Sequence, residues 1–259
     1  MTQLPFHKYQ ATGNDFIVID NLNGSYLHSE QLAKKLCDRK FGIGSDGLIL
    51  IQSHTDFDFE MVFYNPDGSM SLCGNGSRCA VNFARKLGLI EDSCTFLAYD
   101  GPHEASIMQN KTVRLKMNDV HSVRSMNDGT FVDTGSPHLM VFVEDVNDFD
   151  VYENGKKIRN NETFKSEGVN VNFVQKLEQS SIFVRTYERG VECETLSCGT
   201  GVTAAAIAAN GHDIHSPVII LTKGGNLQVE FKKLSDTEFT DVYLIGPAKA
   251  VFTGTIELD

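Results

Sequence analysis

No apolar run in the 259 residues approaches the ~18 that a membrane span requires. The first ten residues, MTQLPFHKYQ, lack the apolar core of a secretory signal, so a cytoplasmic location is expected. Basic residues are outnumbered, 23 Lys and Arg against 34 Asp and Glu, for a formal charge of −11. There is no dense Lys/Arg run, which argues against a nucleic-acid partner or an anionic membrane surface. Low-complexity tracts are absent, and so is any C-x-x-C pair of the kind that holds zinc or does thioredoxin-type redox work. In a cytoplasmic setting the six cysteines are expected as thiols rather than as a disulfide framework.

What is present is an ordinary globular composition, 41% hydrophobic and 22% charged, long enough for two domains of about 130 residues. The segment SEQLAKKLCDRKFG reads as a helix with Ser29 as N-cap, an apolar stripe of Leu32, Ala33, Leu36 and Cys37, and Gly42 beyond its end. Strands are expected at GLILIQ, FDFEMVFYN, HLMVFV, NVNFVQ, SIFVRTYE, PVIILT and NLQVEFKKL. Two further helices are expected, from about Gly76 to Leu87 with Gly88 as stop, and from about Gly201 to Asn210 with Gly211 as stop. The polar stretch NDVHSVRSMNDGT reads as a crossover between halves. Gly42, Gly44 and Gly47 spell G-x-G-x-x-G, but they follow a helix and open a strand, the reverse of a dinucleotide fingerprint. Cys37 and Cys79 fall on helices and are expected in the core. His212 and His215 are expected in a loop, with no ligand partners at a recognisable spacing.

The halves repeat. ATGNDFIVID resembles DTGSPHLMVFV, FGIGSDGLIL resembles EGVNVNFVQ, and VFYNPDGSMSLCGNG resembles VRTYERGVECETLSCGTG. Thr134 follows Thr12 by 122 positions and Cys198 follows Cys73 by 125, so three matches stand in one order at a nearly constant offset. That pattern predicts two domains of one fold.

Each repeat puts a cysteine just before a helix. Backbone N–H groups and the positive end of the helix dipole there favour thiolate. The same N–H groups bind a carboxylate, and glycine lets a ligand approach them closely. Nucleophilic catalysis needs one activated thiol with a base beside it. Inverting a carbon by proton exchange needs two acid/base groups on opposite faces, and a duplicated thiol fits that chemistry better. A thiol hydrolase, with a covalent acyl intermediate, and an amino-acid-binding module that exchanges no Cα hydrogen are the alternatives from other classes.

The motifs TGNDF, YNPDGSMSLCGNGSRC and YERGVECETLSCGTGVTAAA closely resemble those of the diaminopimelate epimerases, from about Phe6 to the C-terminus. Proline racemases carry M-C-G-H-G and S-P-C-G-T-G instead, and the cysteine-less isomerases of the superfamily lack both thiols. The resemblance implies an α+β fold of two pseudo-symmetric α/β domains. Each would be a mixed, mostly antiparallel sheet wrapped around a central helix, with the active site in the cleft between the domains. Residues 1–117 and a returning strand at 247–259 would form the first domain, and 118–246 the second. The implied activity is that of an isomerase: cofactor-independent, two-base epimerisation of LL- to meso-diaminopimelate, serving lysine and peptidoglycan synthesis. It implies no metal, and the family is often homodimeric.

Residue by residue, the resemblance makes Cys73 and Cys198 the acid/base thiols, with His138 and Glu188 tuning them. Gly74, Asn75, Gly199 and Thr200 would supply donors to substrate. Asn14, Asn65, Asn170, Glu188 and Arg189 match substrate contacts. Ser136 stands where the family usually has a substrate-binding Asn, and Gly47 where some members have Gln. The segment from Glu188 to Cys198 is one residue longer than the common form. The chemistry of these residues agrees: Arg189 offers a planar fork for one carboxylate and the helix N-termini offer a second anion site, which suits a dicarboxylate.

Overall fold

A computed structural model describes residues 2–26, 30–178 and 180–258. Ser29, expected as an N-cap, lies outside the described residues. The chain divides into two compact units, Met1–Leu115 with Gly246–Asp259, and Lys116–Ile245.

In the first unit the strands are β1 (Thr2–Ala11), β2 (Asn14–Asp20), β3 (Gly47–Gln52), β4 (Phe59–Tyr64), β5 (Ser93–Ala98), β6 (Gly101–Ile107) and β7 (Val113–Lys116), which ends at the boundary. Helix α1 (Glu30–Cys37) lies between β2 and β3, and α2 (Gly74–Leu87) between β4 and β5. In the second unit the strands are β8 (Val123–Met126), β9 (Gly129–Asp133), β10 (Pro137–Phe142), β11 (Asn170–Lys176), β12 (Ser181–Glu188), β13 (Cys193–Thr195), β14 (Val218–Thr222), β15 (Gly225–Lys233) and β16 (Phe239–Gly246). Helix α3 (Val151–Arg159) joins β10 to β11, and α4 (Gly199–Ala209) lies between β12 and β14. The last strand, β17 (Lys249–Leu258), pairs antiparallel with β1 inside the first unit.

The repeat seen in the sequence is a repeat of topology. In the first unit β1–β2 is antiparallel, β2–β3 parallel, β3–β4 antiparallel, β4–β5 parallel, and β5–β6 antiparallel. In the second unit β9–β10, β10–β11, β11–β12, β12–β14 and β14–β15 repeat the same senses in the same order. The parallel pairs need crossovers, and in both units helices fill them. Each half is therefore a mixed sheet with one helix at its centre.

Burial explains why these segments take these forms. Along β2 and β3 successive residues serve opposite faces. Ile17, Leu48 and Leu50 join Leu36 and Cys37 of α1 in one apolar cluster. Phe16 and Ile49 point the other way, to the spot beside Gly76 of α2. In the second unit Leu139, Val151, Phe173 and Tyr187 form the corresponding cluster against α3. Helix α4 is almost wholly buried and nearly all small residues, so the sheet can close around it. Cys37 and Cys79 are core residues, as their helical positions predict. Gly47 opens β3 after a helix, so the glycine triplet is no dinucleotide loop.

Two expectations fail. The stretch read as a crossover contains the β8–β9 hairpin, because the turn around Asn127 and Asp128 separates two short strands. The second central helix does not stop at Gly211. It tightens into a 3-10 turn over Asn210–His212, and the left-handed residue is Asp213, with φ of 61°. Gly88 does end α2 in that conformation, with φ of 77°. Among the described residues no helix is long and apolar enough to cross a membrane.

The matching glycines of the two central helices carry different loads. A Cβ on Gly201 would come within 2.5 Å of Asn172 Oδ1 and 3.3 Å of His138 Cε1, whereas one on Gly76 would meet Cys73 Cβ and Ile49 Cδ1 at 3.4 Å. Gly201→Ala should therefore cost about 1–3 kcal/mol, as overpacking does. Gly76→Ala should lie within about 1 kcal/mol of the parent, helped by helix propensity. Urea unfolding midpoints of the two variants check the contrast; equal losses would contradict it.

Candidate active site

In both units the cysteine sits in extended backbone one residue ahead of its central helix. Cys73 has φ −130° and ψ 109°, and Cys198 has φ −122° and ψ 117°. The Gly76 N–H donates to Cys73 Sγ at 3.4 Å, which makes the sulfur itself the cap of α2. Cys73 is partly exposed and Cys198 is buried. The strand-to-strand turns before them match too. Thr12 and Gly13 have φ of 47° and 84°, and Gly135 has φ of 100°. Each turn threonine reaches toward its helix: Thr12 Oγ1 accepts from Arg78 Nη2 at 3.5 Å, and Thr134 Oγ1 donates to the Thr200 carbonyl at 2.9 Å.

Around Cys73 a directional chain of hydrogen bonds runs from a cation to a carboxylate. Arg78 Nη2 donates to Asn75 Oδ1 at 2.8 Å, Asn75 Nδ2 to Asn14 Oδ1 at 3.2 Å, and Asn14 Nδ2 to Asp46 Oδ2 at 2.7 Å. Arg39 donates to the other Asp46 oxygen at 2.7 Å. Arginine only donates and carboxylate only accepts, so the two ends fix the orientation of both asparagine amides. Asn14 Oδ1 thereby faces Cys73 Sγ at 3.7 Å. Arg39 also holds Asp15, whose carboxyl is kept below its ordinary value: Arg39 and Lys8 together outweigh the opposing, largest single effect of burial. Asn65 is engaged in the turn after β4, donating to Ser69 and Ser71 hydroxyls at 3.1 Å.

Around Cys198 the hydrogen-bonded side chains Thr186, Asn172, His138, Ser136 and Thr200 carry no charge, and the charge on Arg189 acts on His138. Thr186 Oγ1 donates to Asn172 Oδ1 at 2.8 Å, so Asn172 Nδ2 faces His138 Nδ1 at 3.1 Å. That leaves the His138 proton on Nε2, which lies 2.9 Å from both Ser136 Oγ and Thr200 Oγ1. Thr200 Oγ1 lies 3.5 Å from Cys198 Sγ. Burial, and secondarily the charge on Arg189, push His138 down to about 3, so the ring is neutral at physiological pH. Ser136, shorter than the family's usual Asn, is a member of this cluster and bonds both His138 and Thr200.

At the end of β12, Thr195 Oγ1 donates to Glu188 Oε2 at 2.9 Å. Asn170 is committed to the backbone: its Oδ1 accepts from the Arg189 N–H at 2.9 Å and its Nδ2 donates to the Pro137 carbonyl at 3.2 Å. The Arg189 guanidinium rests on the Glu167 carbonyl at 2.9 Å and forms no ion pair among the described residues. No carboxylate among the described residues holds its fork. Gly47, where some family members carry Gln, abuts Phe63: a Cβ there would meet the ring at 2.3 Å. The sequence reading missed Asn172, Arg78 and Asp46, which orient its predicted residues. Asn172 and Arg78 are polar residues at fully buried positions, and Asp46 sits in the turn before β3. The signal that could have found the first two is a polar residue on an inward position of an apolar strand or helix.

Comparison with known proteins decides the family. The diaminopimelate epimerase family model matches residues 6–123 and 130–251. The chain belongs to that family. A diaminopimelate epimerase of Flavobacterium psychrophilum is 47% identical, covering 98% of this chain and 100% of the relative. One of Chlorobaculum tepidum is 40% identical over 96% of this chain and 99% of the relative. Among solved structures, a phenazine biosynthesis protein of the PhzF family from Bacillus anthracis has a TM-score of 0.76 at 16% identity, covering all of both chains. A hydroxyproline epimerase from Agrobacterium vitis has 0.71 at 15% identity, over 99% of this chain and 93% of the other. At those identities the likeness is one of fold: two-domain and α+β.

The buried imidazole gives a pH dependence. In the unfolded chain a histidine takes up a proton near pH 6.5; in the fold His138 does so only at about 3. Its neutral form is at home above 6.5, and stability is lost as pH falls from 6.5 toward 3, because only the unfolded state binds the proton. Urea midpoints of the parent and of His138→Gln should diverge above pH 6.5 and converge on acidification through that window. Parallel curves would contradict the account.

Proposed function

We propose that this chain interconverts LL- and meso-diaminopimelate, with Cys73 and Cys198 as the two acid/base groups acting on opposite faces of one carbon. The observation that carries the reading is the duplicated position: in each half a cysteine in extended backbone is the N-cap residue of a buried central helix, and at α2 its sulfur also accepts from the Gly76 N–H, which the Cys198 sulfur does not do at α4. Thiolate at one position removes the α-proton, and thiol at the other delivers a proton to the far face. The N–H groups of Gly74 and Asn75, and of Gly199 and Thr200, would receive the substrate's proximal carboxylate. Arg189 would take the distal one, supported by a guanidinium that no carboxylate among the described residues holds. Asn14, Asn65, Asn170, Glu188 and Ser136 would surround the ammonium and carboxylate groups, the last with His138 in the cluster behind Thr200.

No cofactor enters the scheme, since the acidity of the Cα hydrogen is raised by charge placed around it rather than by an electron sink. A cytoplasmic setting and the homodimeric state common in the family belong to the same reading. A proline-type racemase would need no distal carboxylate site, so Arg189 favours the dicarboxylate.

Cys73→Ser and Cys198→Ser, assayed by chiral chromatography of diaminopimelate, should each lower turnover by roughly 10²–10⁴-fold, the usual contribution of a positioned acid or base. A variant that kept parent turnover would remove its cysteine from the mechanism.

A further inference from the structure

Arg78 is fully buried at the sixth position from Cys73, counted inclusively, and is the largest of the fully buried side chains. Buried arginine is ordinarily neutralised by a carboxylate. Here no ion pair reaches it among the described residues. Its partners are the Asn75 Oδ1, the Gly74 carbonyl at 3.4 Å and the Thr12 hydroxyl at 3.5 Å, and its Nε has no hydrogen-bond partner. The neighbouring Ser77 hydroxyl is also unsatisfied. An uncompensated cation in a protein interior is costly, so something at this place must benefit from it.

The surroundings contain one candidate beneficiary. The groups that act electrostatically on Arg78 are Cys79 and Cys73. Cys79 is the wrong one: burial, its largest influence, pushes its thiol far up, so it is a neutral core residue. The strands packed against α2 add little competition. On β1, Lys8 is paired with Asp15 of β2, Tyr9 packs edge-on to Phe83, and His7 lies beside Lys86 and feels Asp20. Strand β3 carries no titratable side chain, and β4 carries only Glu60 and Tyr64. Burial pushes Arg78 itself down to about 10, which leaves it a cation at neutral pH.

We propose that Arg78 is a positioning residue for Cys73: from behind the first turn of α2 it favours the thiolate, and as the donor end of the Asn75–Asn14–Asp46 chain it fixes the amides in front of the sulfur. The role deepens the proposed two-base function and rests on it for its kinetic consequence. It also makes the two thiols unequal. Cys73 has a permanent cation behind it, whereas Cys198 has a neutral imidazole relayed through Thr200. An enzyme that works in both directions still needs one thiolate and one thiol at rest, and Arg78 selects which thiol is ionised first.

The test reads Cys73 directly. Alkylation by iodoacetamide is followed against pH, with peptide mapping to isolate Cys73, in the parent, Arg78→Met and Arg78→Lys. Loss of the opposite charge should move the Cys73 reactivity curve up by about one pH unit, a roughly tenfold slower reaction at pH 7. Arg78→Lys, which keeps the charge and loses the fork, should recover most of that shift. Turnover of diaminopimelate should fall in kcat with KM little changed. A folded Arg78→Met protein whose Cys73 curve coincides with the parent's overturns the proposal. Should both variants fail to fold, the unmodified protein decides: with 15N-labelled arginine, the buried Arg78 Nε–H resonance should shift with pH at the midpoint of Cys73 alkylation, and a resonance that does not move overturns the proposal. The alkylation curve needs no turnover. If it shifts in a protein that does not epimerise, the function falls and Arg78 keeps its role. If the protein epimerises and the curve does not shift, only the role of Arg78 falls.

Discussion

The constraint on which the rest depends is a sulfur at the start of a buried helix. A helix N-terminus leaves backbone N–H groups without partners inside the helix, and burying that end in a sheet denies them water. Something has to meet them. At α2 the Cys73 sulfur meets the Gly76 N–H, and a ligand anion would meet others. The demand shapes the sequence for a dozen residues on either side. Glycines must follow so that the helix can start close against the strands, small residues must line α4, and the sheet must curl around both helices. Duplicating the arrangement duplicates the demand, and the matched strand senses of the two halves follow from it.

The halves diverge in how they support that sulfur. The first uses charge: two arginines and a carboxylate terminate a chain of amides whose orientation is thereby forced. In the second the hydrogen-bonded chain itself is of neutral groups: an amide fixes the tautomer of an imidazole, which in turn bonds the threonine beside Cys198. Equal supports would leave two equivalent thiols. Unequal ones suit a reaction that needs one proton donor and one proton acceptor at each turnover. The family membership is established by sequence comparison over nearly the whole chain, and the asymmetry is what the structure adds to it.

Much of the fold could be read in the sequence because period and punctuation agreed. Strands such as SIFVRTYE alternate and are bounded by turn residues, and β12 spans those same residues. Gly88 ended a helix as glycine does past a last turn. The β8–β9 hairpin was missed because its strands are short and polar, so nothing apolar marked them. The stop of α4 is not legible at Gly211, because the 3-10 turn carries the chain on to Asp213. In the candidate site, the cysteine–glycine starts of the two central helices were legible because their signal is local. Asn172 was not, because it orients His138 by a contact across strands, and one sequence does not display contacts; Arg78, three residues from Asn75 on α2, was not, because one sequence does not display burial.

The central claim is that two different groups remove and return the proton. Incubation of LL-diaminopimelate in D2O, with stereoisomer and label followed together by chiral chromatography and mass spectrometry, tests it most directly. Early product should carry one deuterium at the inverted carbon while the recovered substrate is largely unlabelled, because the thiol that takes the hydrogen is not the one that supplies solvent deuterium. Deuterium appearing in LL-diaminopimelate as fast as in product, or without inversion, would mean that one base does both and would contradict the account.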